Sequence, residues 1–280
     1  MWKDAILLDK GTDFSGFKNF DPRFQEPFVS EQGPSGAGLL LQWVAKLEIE
    51  GHELRYINPN NVALFFALAE RAGLSAVDLL ANVKDRAKAD SHGSVYDRAV
   101  LYSDSVLICD FLEAIQTAVV FSFTAIEAFT NISIPNDYIY ETTNSRKTEL
   151  YNKDQIERWI GWQDKVSKIL VAIYQTEKIE NQKFWPYFLK LVEIRNNIIH
   201  QKSVNDAEYL QLLFHDEIFR ICCSASEVYL FFYEHAKSSK DEKFQGNEHL
   251  WPGVIATAKG MEVKRDTIRD LDNGSREPDK

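Results

Sequence analysis

Residues 184–200 read FWPYFLKLVEIRNNIIH, and they predict both a core helix and a candidate site at its end. Aromatic and aliphatic residues recur through this stretch, as in a helix packed inside a bundle. Pro186 falls in the expected first turn, where a proline is tolerated. The last turn instead carries Arg195, Asn196 and His200. Polar groups at the end of a core helix cost stability unless they are partnered or exposed in a cleft, so this cluster is a candidate site.

Three further stretches with helical periodicity predict the rest of a bundle. A long helix is expected from Ser94 to about Asn131, with apolar positions that widen toward its end. A second begins after a cap at Asn152 or Asp154, and the last runs from about residues 205–206 to His235. Residues 93–238 therefore predict a mainly α, up-and-down helical bundle with polar connections.

Residues 1–92 are expected to form a smaller N-terminal accessory region. Up to about residue 58, short apolar runs alternate with turn residues, which is compatible with short strands or ordered loops. A helix is expected to begin near Ala37, because Leu39, Leu40, Trp43, Val44 and Leu47 follow a helical spacing. The glycine-rich residues 33–38 before it lack the Gly-Lys-Ser/Thr ending of a phosphate loop. A turn at the start of a helix is favoured there over nucleotide binding.

A helical hairpin is expected at the end of this region. Residues 58–61 form a turn and cap a helix over 62–72, Gly73 ends it, and Ser75 caps a second helix to about Ala89. The bend is similar to that of a helix-turn-helix. The second helix, however, offers little to base edges or phosphates, so a packing role is favoured over DNA binding.

Composition bounds the possible functions. The chain has 280 residues, of which 45% are hydrophobic, and this is enough for one large core or two modest ones. A net charge of −10 argues against broad, nonspecific affinity for nucleic acid. The sign of the charge is locally reversed over residues 183–202. This stretch contains four basic residues and one acidic residue, Glu193; the basic ones are Lys183, Lys190, Arg195 and Lys202. A local basic cleft remains compatible with the acidic whole.

Other sequence features point to a cytoplasmic protein without a membrane partner. No apolar run is expected to reach membrane-spanning length, and the N-terminus lacks the pattern of a secretion signal. The three cysteines, Cys109, Cys222 and Cys223, lack metal-ligand spacing and are expected to be small buried hydrophobes. No metal or cofactor is expected. Residues 239–280 are predicted to form a polar C-terminal tail.

Helix geometry leaves two interpretations of the terminal cluster open. Arg195 lies about 140° around the helix from His200, so one helix does not aim both side chains at one point. A compact site would be completed more naturally by a second copy of the chain across a two-fold axis. Alternatively, Arg195, His200 and Lys202 could cap the last carbonyls and complement the helix dipole. Glu127, a carboxylate amid apolar neighbours in the long helix, needs a partner in either case.

Ile194–His200, together with Ala125–Phe129, resembles the HEPN superfamily (higher eukaryotes and prokaryotes nucleotide-binding domains). Members are α-helical bundles marked by an Arg, four to six residues and a His, usually with a polar residue directly after the Arg. Asn196 occupies that polar position. The resemblance covers the bundle and does not extend to the first ninety residues or the tail.

The resemblance implies a metal-independent endoribonuclease that acts as a homodimer, often as a toxin or phage-defence effector with an antitoxin or defence-system partner. His200 would be the general acid or base for attack of the ribose 2′-hydroxyl on the adjacent phosphate. Arg195 would hold that phosphate, and Asn196 would orient the histidine or the phosphate. Glu127 would pair with Arg195 or position His200. The alternative is a non-catalytic member that binds a nucleotide or a protein.

Overall fold

The computed structural model describes residues 5–7, 23, 28–30, 39–41, 44–89, 98–144, 147–200 and 207–238. Most of these residues are helical, and the mainly α prediction is confirmed. The predicted polar tail lies outside the described residues, as does the glycine-rich turn at 33–38.

The helices of the described chain are α1 (Asn61–Ala89), α2 (Arg98–Ser133), α3 (Lys153–Trp159), α4 (Trp162–Asp164), a π-helical segment (Lys165–Leu170), α5 (Val171–Tyr174), a 3₁₀ turn (Ile179–Asn181), α6 (Trp185–Ile199), α7 (Ala207–Leu213) and α8 (Glu217–Ser238). The strands are β1 (Ala5–Leu7), β2 (Phe28–Ser30), β3 (Leu39–Leu41), β4 (Val44–Ile49), β5 (His52–Ile57), β6 (Tyr140–Asn144) and β7 (Lys147–Tyr151). They form a sheet of order β1-β3-β2 and two hairpins, β4-β5 and β6-β7, and every pairing is antiparallel.

The main hydrophobic core surrounds α2, which packs against α1, α6 and α8. Aromatic rings link these helices: Phe129 of α2 meets Tyr229 of α8 edge to face at 5.1 Å between centroids. Phe123 of α2 also contacts Phe188 of α6, with centroids 6.2 Å apart and planes tilted by 31°. These buried rings pack α2 against α6 through Phe123 and against α8 through Phe129, and they fix the position of α6 on α2. The C-terminal end of α6 is thereby held close to the part of α2 that carries Glu127.

The predicted helical hairpin is wrong, because residues 61–89 form the single helix α1. The cap was correctly placed: Asn60 Oδ1 accepts the Val62 N–H at 3.0 Å. Gly73, expected to end the first helix, lies inside α1, where a Cβ atom would come no closer than 3.9 Å to Ala118. A glycine inside a helix costs about 0.5–1 kcal/mol, which packing of α1 along α2 offsets.

The helix expected from Ala37 is also wrong, because Leu39–Leu41 and Val44–Ile49 are strands. Leu39–Leu41 pairs with both Ala5–Leu7 and Phe28–Ser30, partners that a local periodicity does not reveal. The second strand belongs to a hairpin whose two-residue turn, Glu50–Gly51, has φ values of 51° and 82°. Such a turn matches the twist of antiparallel strands and favours glycine.

The segment after residue 150 begins as predicted and then departs from a regular helix. Asn152 caps α3, since its Oδ1 accepts the Gln155 N–H while Gln155 Oε1 accepts the Asn152 N–H. Ile160 and Gly161 adopt extended backbone, so the expected continuous helix is divided there. The chain resumes at Trp162 and enters the π-helical segment. Such π turns occur frequently at functional sites.

The last predicted helix is likewise divided, into α7 and α8. A turn over 214–216 separates them, and Phe214 within it packs its ring at 4.7 Å from Phe111 of α2. The Glu217 N–H donates to His215 Nδ1 at 3.3 Å, which adds a side-chain acceptor at the start of α8. The break between α7 and α8 therefore allows Phe214 to pack against α2.

Two compositional expectations need correction. By length and composition α2 is apolar enough to cross a membrane, but core helices of soluble proteins share this character, and 33% of its apolar stretch is buried inside the protein. Its hydroxyls are less polar than the sequence suggests, because Thr117 and Thr124 bond to backbone carbonyls one turn back. Cys109 is exposed and not buried, whereas Cys222 is buried as expected.

Candidate functional site

Arg195 is held by contacts with its neighbour and with α2. Its Nη1 donates to Asn196 Oδ1 at 3.1 Å, and its guanidinium lies 5.0 Å from the centroid of the Phe123 ring. Nη2 lies 3.7 Å from Glu127 Oε2, which is an ion pair beyond hydrogen-bond distance. These contacts are with side chains and not with terminal carbonyls of α6, so the capping interpretation of Arg195 is wrong.

The Nε–H of Arg195 is buried and has no hydrogen-bond acceptor among the described residues. Leaving a buried donor unpaired costs about 1–3 kcal/mol, and such groups are uncommon in folded proteins. The neighbouring Nη2 meets only the loose contact with Glu127. Nε and Nη2 form one edge of the guanidinium, and two parallel donors on such an edge suit a phosphate or carboxylate.

Glu127 faces Arg195 from the C-terminal part of α2, and 43% of its side chain is exposed. Burial raises the pKa of this carboxyl above its ordinary value, and the positive charges of Arg195 and Lys165 oppose that rise. Of the two partners expected for Glu127, the structure brings it to Arg195. Asn196 likewise bonds the Arg195 side chain.

His200 is not brought into this cluster within one chain. It is the C-terminal cap of α6, where its backbone N–H donates to the Asn196 carbonyl at 2.9 Å. Its side chain is exposed and makes no hydrogen bond or ion pair with any described residue. The arginine thus faces α2 while the histidine faces solvent one turn later. An exposed imidazole at the end of a helix is free to meet a ligand or a second chain.

A cleft of about 420 Å³ opens beside the Arg195 cluster. It lies between α2, the extended turn at Ile160–Gly161 and the start of the π-helical segment. Phe123 and Glu127, which both contact Arg195, also line this cleft. The guanidinium therefore lies next to the cleft, because it contacts two of the side chains that line it.

Lys165 is the charged residue that sequence reasoning missed. Only 8% of it is exposed, and its Nζ donates to Asn131 Oδ1 at 3.2 Å and to the Glu157 carbonyl at 2.9 Å. Burial lowers the pKa of the ammonium, while the charges of Glu127 and Glu157 raise it. In the sequence, its apolar neighbours Val166, Ile169 and Leu170 indicate an ordinary buried helix face, and nothing marks Lys165 as buried with them. The π turn, which local periodicity does not signal, brings Lys165 inward.

Within the part of the chain that the structure describes, no group of three or more His, Cys, Asp or Glu is arranged to hold a metal ion. Comparison with protein-family models, with curated proteins and with solved structures found no match for this chain. The likeness to HEPN domains accordingly rests on the residues of α2 and α6 described above.

Proposed function

We propose that this protein is a HEPN-type, metal-independent endoribonuclease. The observation that carries the proposal is the Arg195 guanidinium, whose Nε–H is buried without an acceptor and whose neighbouring Nη2 is only loosely paired. A phosphate oxygen that paired with Nη2 would replace the loose contact with Glu127, and a small rotation of the guanidinium would let the same phosphate accept from Nε–H. The site also has an exposed imidazole on the same helix, and imidazole is the side chain best suited to proton transfer near neutral pH.

The proposed reaction is attack of a ribose 2′-hydroxyl on the adjacent phosphate, which yields a cyclic 2′,3′-phosphate and a 5′-hydroxyl. His200 acts as general acid or base, and Arg195 neutralises charge that builds on the phosphate. Asn196 and Glu127 are positioning residues, because both contact the guanidinium. We further propose a toxin or phage-defence role, with a partner protein that controls the enzyme.

Separation of the two key side chains within one chain favours a homodimer. Arg195 contacts α2, whereas His200 is exposed at the helix end. A two-fold axis near the end of α6 would place the His200 of each protomer against the guanidinium of its partner. The complete site would then contain residues of both copies.

A second candidate function is a non-catalytic module that binds a nucleotide or a protein. The observation that favours it is the position of the cleft, which adjoins Arg195, Glu127 and Phe123 and does not include His200. A binding module would use the cleft without needing the imidazole.

The decisive experiment incubates purified protein with a mixed RNA pool in EDTA. We expect cleavage by the natural protein, loss of cleavage in Arg195→Ala and His200→Ala, and retention in Asn197→Ala, an exposed neighbour in the same turn. Cleavage that survives in the His200 variant would contradict the proposed chemistry. RNA binding by the natural protein, with no cleavage by it or by any of the three variants, would favour the second candidate.

Mixing the two inactive variants tests the shared site. A heterodimer of Arg195→Ala and His200→Ala contains one doubly altered site and one intact site. Random pairing should therefore restore roughly a quarter of the natural activity. A mixture that stays inactive, although mass measurements show heterodimers, would contradict a site built from two copies.

A further inference from the structure

Among the polar residues that line the cleft beside Arg195, one ammonium and one carboxylate suit a pair of hydrogen bonds to a ligand; the others are Thr130, Asn131 and Glu157. Lys165 supplies the donor: an ammonium has three protons, and the described contacts use two, to Asn131 and to the Glu157 carbonyl. Glu127 supplies the acceptor, a carboxylate whose two oxygens can each accept hydrogen bonds. Both groups line the same cleft, and their charges act on each other electrostatically.

We propose that this cleft binds a guanine base of the RNA, which rests on the ribonuclease function proposed above and assigns its base preference. The pairing edge of guanine presents one acceptor, O6, next to two donors, N1–H and the N2 amino group. Lys165 would donate to O6 while the Glu127 carboxylate accepts from N1–H and the amino group. Guanine is the RNA base with two adjacent donors on that edge, so the other three leave a carboxylate oxygen facing an acceptor.

The remaining walls fit a flat ring. Phe123 and Trp162 meet edge to face, with centroids 6.1 Å apart and planes at 85°. Ile126 and Val166 complete an apolar surface next to the two charged groups. Aromatic side chains are common stacking partners for bases in single-strand RNA sites. A volume of about 420 Å³ accommodates a nucleobase with part of its sugar.

The charge balance of the cleft favours a neutral ligand over an anion. Lys165 is the ammonium of the lining, whereas Glu127 and Glu157 are two carboxylates, so a phosphate or carboxylate placed there would be attracted by one charge and repelled by two. Arg195 contacts Phe123 and Glu127 at the edge of the cleft. A base inside the cleft would therefore place its own phosphate toward the guanidinium.

The test measures binding separately from cleavage. Full-length His200→Ala protein is titrated into fluorescent single-stranded uridine oligonucleotides that carry one central guanosine, adenosine, cytidine, inosine or a further uridine. We expect the guanosine RNA to bind about tenfold more tightly than the adenosine, cytidine and uridine RNAs. Inosine lacks the 2-amino group and should lose part of that advantage.

Second-site variants identify the groups responsible. Lys165→Gln keeps an amide that can donate to Asn131 and to the Glu157 carbonyl but removes the third donor. Glu127→Gln replaces one carboxylate acceptor with an amide donor. Each variant should reduce the guanosine preference to about twofold or less. Lys168→Met is the matched control, because Lys168 is in the same π-helical segment but is 59% exposed and paired with Asp164. It should keep the preference. Melting curves establish which variants are folded, and either folded variant suffices.

The outcomes separate the two proposals. Equal affinity for all five RNAs, or a guanosine preference that survives in a folded Lys165 or Glu127 variant, overturns the guanine site. Cleavage by the natural protein together with equal affinities would leave the ribonuclease proposal standing alone. A guanosine preference without any cleavage would support the base site and overturn the nuclease chemistry.

Discussion

Arg195 and His200 differ in how firmly the fold holds them. The arginine packs on Phe123 and pairs with Glu127, and only 20% of its side chain is exposed. The histidine is exposed and contributes one described contact, through its backbone. We expect Arg195→Ala to lower the free energy of unfolding by about 1–3 kcal/mol and His200→Ala to change it by less than about 0.5 kcal/mol.

Urea denaturation of both variants checks this contrast. Asn197→Ala is the surface control, since Asn197 is exposed in the same turn. A His200 variant that loses as much stability as the Arg195 variant would show that the imidazole is packed and not available to substrate.

Glu127 predicts a pH effect on stability. Burial raises the pKa of the folded carboxyl above its usual value of 4.5, so its ionisation weakens the fold as the pH rises through that raised pKa. Glutamine keeps the neutral form. We therefore expect the stability of Glu127→Gln, relative to the natural protein, to improve from about pH 4 to pH 7. Thermal melts across that range measure the difference. A change in the opposite direction would mean that the charges of Arg195 and Lys165 outweigh burial.

Sequence alone predicted part of the candidate site. Arg195, Asn196, His200 and Glu127 were identified by residue type and helix position, and the contact between Glu127 and Arg195 was one of two expected for that carboxylate. Lys165 was missed because its burial depends on the π turn and on Asn131 of α2, which is 34 residues away. Contacts of that range leave no periodic signal in the chain.

At the scale of elements, α1 gives a direct test of helix continuity. Gly73 is helical and has room for a Cβ atom, so Gly73→Ala should raise the free energy of unfolding by about 0.5–1 kcal/mol. A hairpin with Gly73 in a left-handed turn would be destabilised by the same change.

Gly51 provides the matched control. It has a φ of 82° in the β4-β5 turn, and no atom lies within 4 Å of an added Cβ. Gly51→Ala should therefore lower stability through backbone conformation alone, by about 1 kcal/mol. Chemical denaturation of the two variants should give opposite signs. Two losses would contradict the continuous helix.

The elements that sequence predicted well had either a long apolar periodicity or a local side-chain cap. The long helix α2, the motif helix α6 and the cap at Asn152 follow this rule. Breaks were predicted poorly, because glycine was given too much weight at residue 73 and packing of Phe214 against Phe111 divides α7 from α8. The strands at 39–41 depend on pairing with residues far along the chain, which a local reading assigned to a helix.

At the scale of the whole molecule, a net charge of −10 limits how RNA can bind. Several cations of the described residues are neutralised within the fold: Lys190 pairs with Glu217, Arg220 with Glu227, and Lys84 with Asp216. Among the described residues, Lys165 lines the cleft and Arg195 contacts two of its lining side chains. RNA recognition should accordingly depend on few phosphate contacts.

This predicts a weak salt dependence. Each phosphate neutralised on single-stranded RNA contributes about −0.7 to the slope of log affinity against log salt concentration. Arg195 is the proposed phosphate contact and Lys165 the proposed base contact, so the expected slope is about −0.7. Titrations of His200→Ala protein with RNA across a range of KCl concentrations measure this slope, and Arg195→Gln should make it shallower by about 0.7. A slope of about −4 or steeper would require a wider basic surface than these two side chains supply. In an acidic protein such a surface would imply binding along the RNA backbone instead of at one phosphate and one base.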